Sequence, residues 1–289
     1  MTTAASTTLA PDLGTFDPEA ALPRGHYRMT GVLQSEWTKL RSVRSTTWSL
    51  VATIVLTIGI GVLATLMPAL RWNSLGADFR ANFDPVRQSL TGLLFGQLAL
   101  GVLGVLVVSA EYGTGTIRAT LAAVPRRPMV LSGKVLVFGT VALVVSELLM
   151  LATFFIGQAI LGTSPAPHAT LGQPGVLRAV VGGGLYITIL AMLAMGLAAI
   201  IRHTAGAISA FVTILLIVPL ILQALPSSIV NTVGRYVPAN IGATVTSTSG
   251  VAGFEGHHSF SPWVGLALLA AYALVALVVG GWLMARRDA

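Results

Sequence analysis

The sequence is poor in charged residues and contains no cysteine. Only 9% of its 289 residues are charged, whereas a soluble domain typically carries about 25%. A water-soluble enzyme of this length is therefore nearly excluded. The absence of cysteine excludes a disulfide framework, a thiolate nucleophile and a metal site with cysteine ligands.

The chain also lacks room for a soluble catalytic domain. Between its apolar stretches the longest pieces are 47, 37 and 24 residues, below the roughly 50 residues of the smallest independent domains. The phosphate-binding pattern G-x-x-x-x-G-K-[ST] is absent, because Gly133-Lys134 is followed by Val135 and lacks the earlier glycine. The adjacent His257 and His258 point in different directions and make a poor chelating pair. We expect no enzymatic activity, no cofactor and no metal site on this chain.

Long apolar windows dominate what is present. Hydrophobic residues make up 54% of the chain and the mean hydropathy is +0.83. Each window is long enough for the roughly 20 residues of a bilayer-crossing helix. Glu147 is the only charged residue inside the six windows, which are 48–70, 88–110, 135–161, 179–201, 204–225 and 263–285. The sequence predicts an all-α polytopic membrane protein with six transmembrane helices over 48–285. A four-span arrangement with one re-entrant window is the alternative.

The positions of the basic residues predict the orientation in the membrane. The sequence pI of about 10.6 is typical of nucleic-acid binders, but the basic residues flank the apolar windows instead of forming a soluble patch. Twelve Lys and Arg lie on the side of the two termini and five on the other side. Because basic flanks stay in the cytoplasm, we expect a multi-pass plasma-membrane protein with both termini cytoplasmic and no nucleic-acid partner. Residues 1–28 are predicted to be a disordered cytoplasmic tail.

An amphipathic segment, 29–47, precedes the first window. Its helical spacing predicts an interfacial helix with tryptophan toward the membrane and the basic residues toward lipid headgroups, and with Glu36 on the polar side. The residues that carry this prediction are Leu33, Trp37 and Leu40 on the apolar face, and Lys39 and Arg41 on the polar face. Two roles are open: an elbow that transmits motion to the first span, or a passive anchor.

The loop between the second and third windows has a pattern of its own. Gly113 and Gly115 interrupt the exit from the second window, and Pro125 stops whatever helix follows. Between them Ile117, Leu121 and Val124 form one apolar helical face. The pattern predicts a short cytoplasmic helix that another protein can dock on.

At these residues the chain resembles the membrane subunits of ABC type 2 exporters, particularly of an actinobacterial kind. The matching residues are Ser35–Arg41, Glu111-Tyr112, Gly115–Arg118, Thr120-Leu121, Pro125–Arg127 and Lys134. Six spans, a basic interfacial helix and a long last outer loop also fit, so the resemblance covers about residues 30–287. Each motif is short and moderately specific, but their order and placement together make the match strong.

The resemblance implies a permease subunit that forms the pathway for a hydrophobic or amphiphilic cargo, such as a drug, a peptide or a lipid-linked molecule. Two copies of a separate ATPase, which bind the ATP and Mg²⁺, would dock beneath a pair of permeases. The residues expected to couple to the ATPase are Glu111, Ile117, Arg118, Leu121, Val124, Arg126 and Arg127. Outward direction is likewise implied by the family. A self-sufficient secondary carrier or an intramembrane enzyme is the alternative function.

Three further features carry expectations. Glu147 should face the bundle interior, a cavity or a subunit interface because a carboxylate in lipid is costly, and it is a candidate for the pathway or for a structural role. The glycines of Gly92–Gly96 are expected to allow close packing within one bundle. Segment 226–262 is predicted to hold two short helices that dip back into the outer leaflet, with a surface hairpin as the alternative.

Overall fold

The computed structural model describes residues 28–117, 120, 127–248 and 259–286. Within these residues every regular element is a helix, and there is no strand. Six helices are long and apolar enough to cross a membrane: Arg44–Ser74, Pro85–Gly113, Pro128–Gly162, Val176–Ile201, Thr204–Gln223 and Pro262–Arg286, here spans 1 to 6. The predicted all-α polytopic fold is confirmed.

Span 4 forms the centre of the bundle. It packs against spans 2, 3 and 6, and 61% of its most apolar window is buried, against 22% for spans 1 and 5. Its buried side chains include Tyr186, Leu190 and Met195. The periphery of spans 1 and 5 therefore offers large apolar surfaces to lipid or to another protein.

Spans 1 and 2 approach each other closely at two glycines. A Cβ atom on Gly92 would fall on the backbone carbonyl oxygen of Thr57, and one on Gly96 would fall on the hydroxyl of Thr57. The predicted role of Gly92–Gly96 in packing within the bundle is confirmed, because only a hydrogen at these positions leaves room for span 1.

We expect Gly92→Ala to destabilise the protein. The new methyl group would overlap a backbone atom that cannot rotate away, and such overpacking typically costs about 1–3 kcal/mol. The measurement is the thermal midpoint of the detergent-solubilised protein. Gly59→Ala in span 1 is the matched control, since nothing lies within 4 Å of its Cβ position; equal midpoints for the two variants would contradict the close approach.

Span 5 contains an irregular turn. Thr213–Ile217 is π-helical and is followed by Val218–Gln223, with Pro219 in its first turn. Proline lacks an N–H donor and its ring clashes with the preceding helical turn, so the chain widens just before it. Pro219 therefore accounts for the π-helical turn.

The N-terminal helix, Met29–Ser42, is separated from span 1 by a single extended residue, Val43, with φ −83° and ψ 117°. It lies at the same end of the bundle as the start of span 3 and the end of span 6, where Arg202 donates a hydrogen bond to the Leu283 carbonyl oxygen at 2.9 Å. We call this the N-terminal end.

Short helices close the opposite end. Ser227–Val233 and Pro238–Thr246 confirm the two helices predicted in segment 226–262, and the second packs against spans 4 and 6. Thr248 donates hydrogen bonds from its N–H and hydroxyl to Asp84 Oδ2 at 3.0 and 2.9 Å. Asp84 also caps the first turn of span 2, so it ties the two segments together. His257 and His258 lie outside the described residues.

Candidate functional site

The buried face of the N-terminal helix differs from the predicted one. Val32, Glu36 and Leu40, spaced four residues apart, are its buried residues and pack toward span 3, whereas Trp37 is 51% exposed. The prediction that Glu36 lies on the polar side, opposite Leu40, is wrong: the two residues share the buried face, and the Glu36 side chain is 4% exposed. Glycine at position 133 allows this packing, because a Cβ there would lie 2.6 Å from Val32 Cγ1.

Four charged side chains meet at the N-terminal end and form what we call the ion cluster: Glu36, Lys39, Glu111 and Lys134. Lys134 Nζ lies 2.7 Å from Glu36 Oε2 and 2.6 Å from Glu111 Oε1. Lys39 Nζ lies 2.8 Å from Glu36 Oε1 and 2.9 Å from Glu111 Oε1. Each ammonium group therefore contacts both carboxylates, and the charges sum to zero.

Most of the ion cluster is withdrawn from solvent. Lys134 and Glu36 are 3% and 4% exposed, Glu111 is 12% and Lys39 is 39% exposed. Buried charges are tolerated only when they are paired and hydrogen-bonded, and loss of one partner leaves an uncompensated charge. Removing any one of the four charges would therefore leave at least one of the others without its full set of partners.

The charge state of Lys39 follows from its surroundings. Partial burial lowers the pKa of the Lys39 ammonium, but hydrogen bonds to Glu36 and Glu111 and the charges of those residues outweigh burial and raise the pKa above its ordinary value of 10.5. The stabilisation from Lys39 is thus fully present below pH 10.5 and is lost only as the pH rises through the elevated pKa. Lys39 stays charged at physiological pH.

The ion cluster joins segments that are distant in sequence. Glu36 and Lys39 come from the N-terminal helix, Glu111 from the exit of span 2 and Lys134 from the entry to span 3. Lys39 also approaches the Thr120 hydroxyl at 3.4 Å, within the loop that leads from span 2 to span 3. Any force applied to that loop would therefore reach two spans and the N-terminal helix together.

A small cavity of about 370 Å³ lies beside the ion cluster. Its walls include Val43, Leu106, Val107 and Phe138, while the charged groups of the cluster form one edge. The cavity shows that the N-terminal helix, span 2 and span 3 are not closely packed everywhere, so these elements have room to shift relative to one another.

Sequence reasoning located part of this site. Glu111 was expected among the coupling residues and Lys39 on the interfacial helix, and both belong to the ion cluster. The motif matches included Glu36 and Lys134 but did not join them into one site. The only signal in the sequence was that both charged residues lie outside the apolar windows. The contact itself could not be predicted, because 98 and 23 residues separate Lys134 from its two partners.

The predicted docking residues have mixed outcomes. Ile117 is 3% exposed, so its side chain is already covered by this chain and does not need a partner's surface, which corrects that expectation. Arg127 is the first residue of a helix, Arg127–Gly162. Arg118, Leu121, Val124 and Arg126 lie outside the described residues. On the N-terminal helix, Leu33 is half-buried and Arg41 is exposed.

Glu147 lies in span 3 against span 4. Its carboxyl group rests on Gly184, where an added Cβ would lie 2.5 Å from the Glu147 carboxyl carbon. The neighbouring Ser146 hydroxyl approaches the Thr188 hydroxyl at 2.7 Å and donates to the Gly184 carbonyl oxygen at 2.9 Å. Glu147 Oε1 is buried and has no hydrogen-bond partner among the described residues. The side chain lines neither of the two largest cavities described here.

We expect Glu147→Gln to leave transport unchanged within about twofold at every pH tested. A charged carboxylate is costly inside a bilayer, and the neutral amide occupies the same space on Gly184. Transport into membrane vesicles measured between pH 6 and pH 8 checks this. A lost or pH-shifted transport rate would contradict the structural role and favour Glu147 as part of the pathway or as the proton site of a secondary carrier.

The chain also matches a known family of membrane proteins. The family described as ABC-2 family transporter protein matches residues 32–219. The match covers well over half of the chain and includes all four members of the ion cluster. The protein is a multi-pass membrane component of an ABC transporter, and it belongs to the ABC-2 transporter family. No curated protein matches the chain.

Proposed function

We propose that this chain is the permease subunit of an ATP-driven exporter and that the ion cluster transmits motion from a separate ATPase to the spans. The observation that carries the proposal is the four-residue cluster, which connects the loop after span 2 to the N-terminal helix and to span 3. Family membership supports a membrane component, and the absence of a phosphate-binding loop in the sequence leaves ATP and Mg²⁺ to a partner.

The arrangement proposed is a pair of permeases above two ATPase subunits. Closed symmetric dimers are the commonest assemblies, and the weakly buried spans 1 and 5 supply apolar surface that a second copy could cover. Closure of the ATPases on ATP pulls the loop after span 2, and the ion cluster passes that displacement to span 3. The N-terminal end is then the cytoplasmic side of the plasma membrane.

The cargo proposed is hydrophobic or amphiphilic, and its direction is outward. Support comes from the apolar character of the spans and from the family. A self-sufficient carrier would rely on ionisable groups near the middle of the membrane, and Glu147 is the one charged residue in the apolar windows. The Glu147 carboxyl group lies against Gly184. A self-sufficient carrier is therefore the second candidate function, and the Glu147→Gln transport measurement tests it.

Co-expression with the ATPase encoded beside this gene tests the proposal. We expect the two proteins to co-purify in a fixed ratio, and inverted membrane vesicles that contain both to accumulate a fluorescent amphiphile only when ATP is added. A catalytically inactive ATPase is the control. Transport by the permease alone, driven by a proton gradient, would contradict the ABC exporter and support the carrier.

A further inference from the structure

The largest cavity described lies at the end opposite the ion cluster. It has a volume of about 1010 Å³ and is bounded by span 2, the connection between spans 1 and 2, span 4 and the helix Pro238–Thr246. Its lining includes the apolar Phe83, Leu94 and Ala243, together with Gln97 and Tyr186. Its size falls at the upper end of the roughly 300–1,000 Å³ of pockets that hold drug-sized molecules.

The cavity reaches deep into the bundle. Gln97 lies twelve residues after Pro85, the first residue of span 2. At 1.5 Å per residue this places Gln97 about 18 Å below the start of the span. The cavity therefore extends from the polar connection between spans 1 and 2 toward the middle of the apolar bundle, which suits a molecule with a polar end and an apolar body.

Gln97, which lines this cavity, has an unpaired carboxamide oxygen. The residue is 3% exposed, and its Oε1 atom is buried without a hydrogen-bond partner among the described residues. A buried acceptor that stays unpaired typically costs about 1–3 kcal/mol, so such groups are almost always paired. Since none of the described residues supplies a donor to this atom, a molecule in the cavity that Gln97 lines is the source left for one.

The charged residues of the lining sit away from Gln97, near the connection between spans 1 and 2. They are Asp78, Asp84 and Arg87, which together carry one net negative charge. Asp84 is already held by the backbone N–H groups of Val86 and Arg87 and by Thr248. An anionic ligand would therefore be disfavoured at this end, whereas a neutral or cationic one would not.

We propose that this cavity binds one drug-sized neutral or cationic amphiphile whose N–H or O–H group donates a hydrogen bond to Gln97 Oε1. The inference rests on the proposed export function and narrows its cargo: the volume suits a single compact molecule better than a lipid with two long chains or an extended peptide. The apolar walls cover the body of the ligand, and Gln97 selects for a donor at its buried end.

Two probes separate the hydrogen bond from simple apolar binding. Ethidium is a flat aromatic cation with two amino donors, and tetraphenylphosphonium is an apolar cation with none. Calorimetric titration of each into the purified full-length permease should show binding of both. Gln97→Leu should weaken ethidium binding about tenfold, the effect of one hydrogen bond of about 1.4 kcal/mol, and leave tetraphenylphosphonium binding unchanged. Retained tetraphenylphosphonium binding also shows that the variant is folded.

A steric variant and a matched control complete the test. Ala243→Trp should place a large ring in the cavity and weaken the binding of both probes. Gln223→Leu makes the same chemical change at an exposed glutamine that does not line the cavity, and it should bind both probes as the unaltered protein does. Loss of ethidium binding in Gln223→Leu would overturn the assignment to Gln97.

Other outcomes overturn the proposal as well. Unchanged ethidium affinity in Gln97→Leu would mean that the carboxamide holds only water, and unchanged affinity of Ala243→Trp for both probes would place the ligand elsewhere. Failure of the unaltered protein to bind either probe would exclude this ligand class. Because the titrations use the permease without its ATPase, these failures are distinguishable from failure of the ATP-driven function, which co-purification and vesicle transport measure.

Discussion

Replacing Lys134 with alanine should abolish transport and strongly destabilise the protein. Lys134 contacts both Glu36 and Glu111 and is 3% exposed, so its loss leaves two buried carboxylates with only Lys39 between them. Breaking a buried ion pair by removing one partner typically costs about 3–5 kcal/mol. The thermal midpoint of the purified protein and ATP-dependent accumulation of a fluorescent amphiphile in vesicles measure the two effects.

A double variant separates stability from coupling. Glu36→Leu with Lys134→Met removes one charge of each sign and leaves the Lys39–Glu111 pair, and replacing a buried pair with apolar residues is often neutral or stabilising. We expect the double variant to recover the thermal midpoint but not transport, because the N-terminal helix is no longer joined by charge to span 3. Arg41→Ala, an exposed charge on the same helix, should change neither property. Full transport by the double variant would show that the cluster is structural only.

Introducing aspartate at both Leu121 and Val124 should release the ATPase. These positions belong to the apolar face predicted in the loop after span 2, and burying each large side chain typically contributes about 1.5–3 kcal/mol. Loss of both contacts corresponds to a decrease in affinity of about 100-fold or more. Co-purification of the tagged permease with its ATPase from detergent measures the effect.

The controls for this variant follow from the structure. Arg126→Ala should be mild, since an exposed ion pair contributes only about 0–1 kcal/mol. Ile117→Asp differs from the other two positions: its side chain is 3% exposed and covered by this chain, so the variant should lower the thermal midpoint. Stoichiometric ATPase on the Leu121→Asp, Val124→Asp double variant would refute docking at this loop.

The spans could be predicted because their signal is local. An apolar run of about 20 residues has few other structures open to it, and the six windows agree with the six helices of the structure to within a few residues at most ends. The close packing at Gly92 and Gly96 could be predicted for the same reason, since two small residues four positions apart give a helix a flat surface. These features need no knowledge of the rest of the chain.

The ion cluster and the large cavity could not be predicted because they depend on which elements become neighbours. The amphipathic pattern of the N-terminal helix shows that one side is apolar, but not that span 3 supplies a lysine to Glu36. Nothing around Gln97 in the sequence indicates a cavity, since its walls come from Phe83, Tyr186 and Ala243, which lie in three separate segments and meet only in the folded bundle. Both features depend on contacts between residues that are far apart in the sequence, and local sequence patterns do not reveal such contacts.

The extended residue Val43 separates the N-terminal helix from span 1, although the two helices are neighbours in the sequence. The N-terminal helix is one residue away from span 1, yet it packs mainly on span 3 and is bonded by charge to spans 2 and 3. A single non-helical joint transmits bending poorly. In a moving transporter the N-terminal helix would therefore follow the third helix of the bundle more closely than its covalent neighbour, so a glycine inserted after Val43 should be tolerated where one inserted after Glu36 would not.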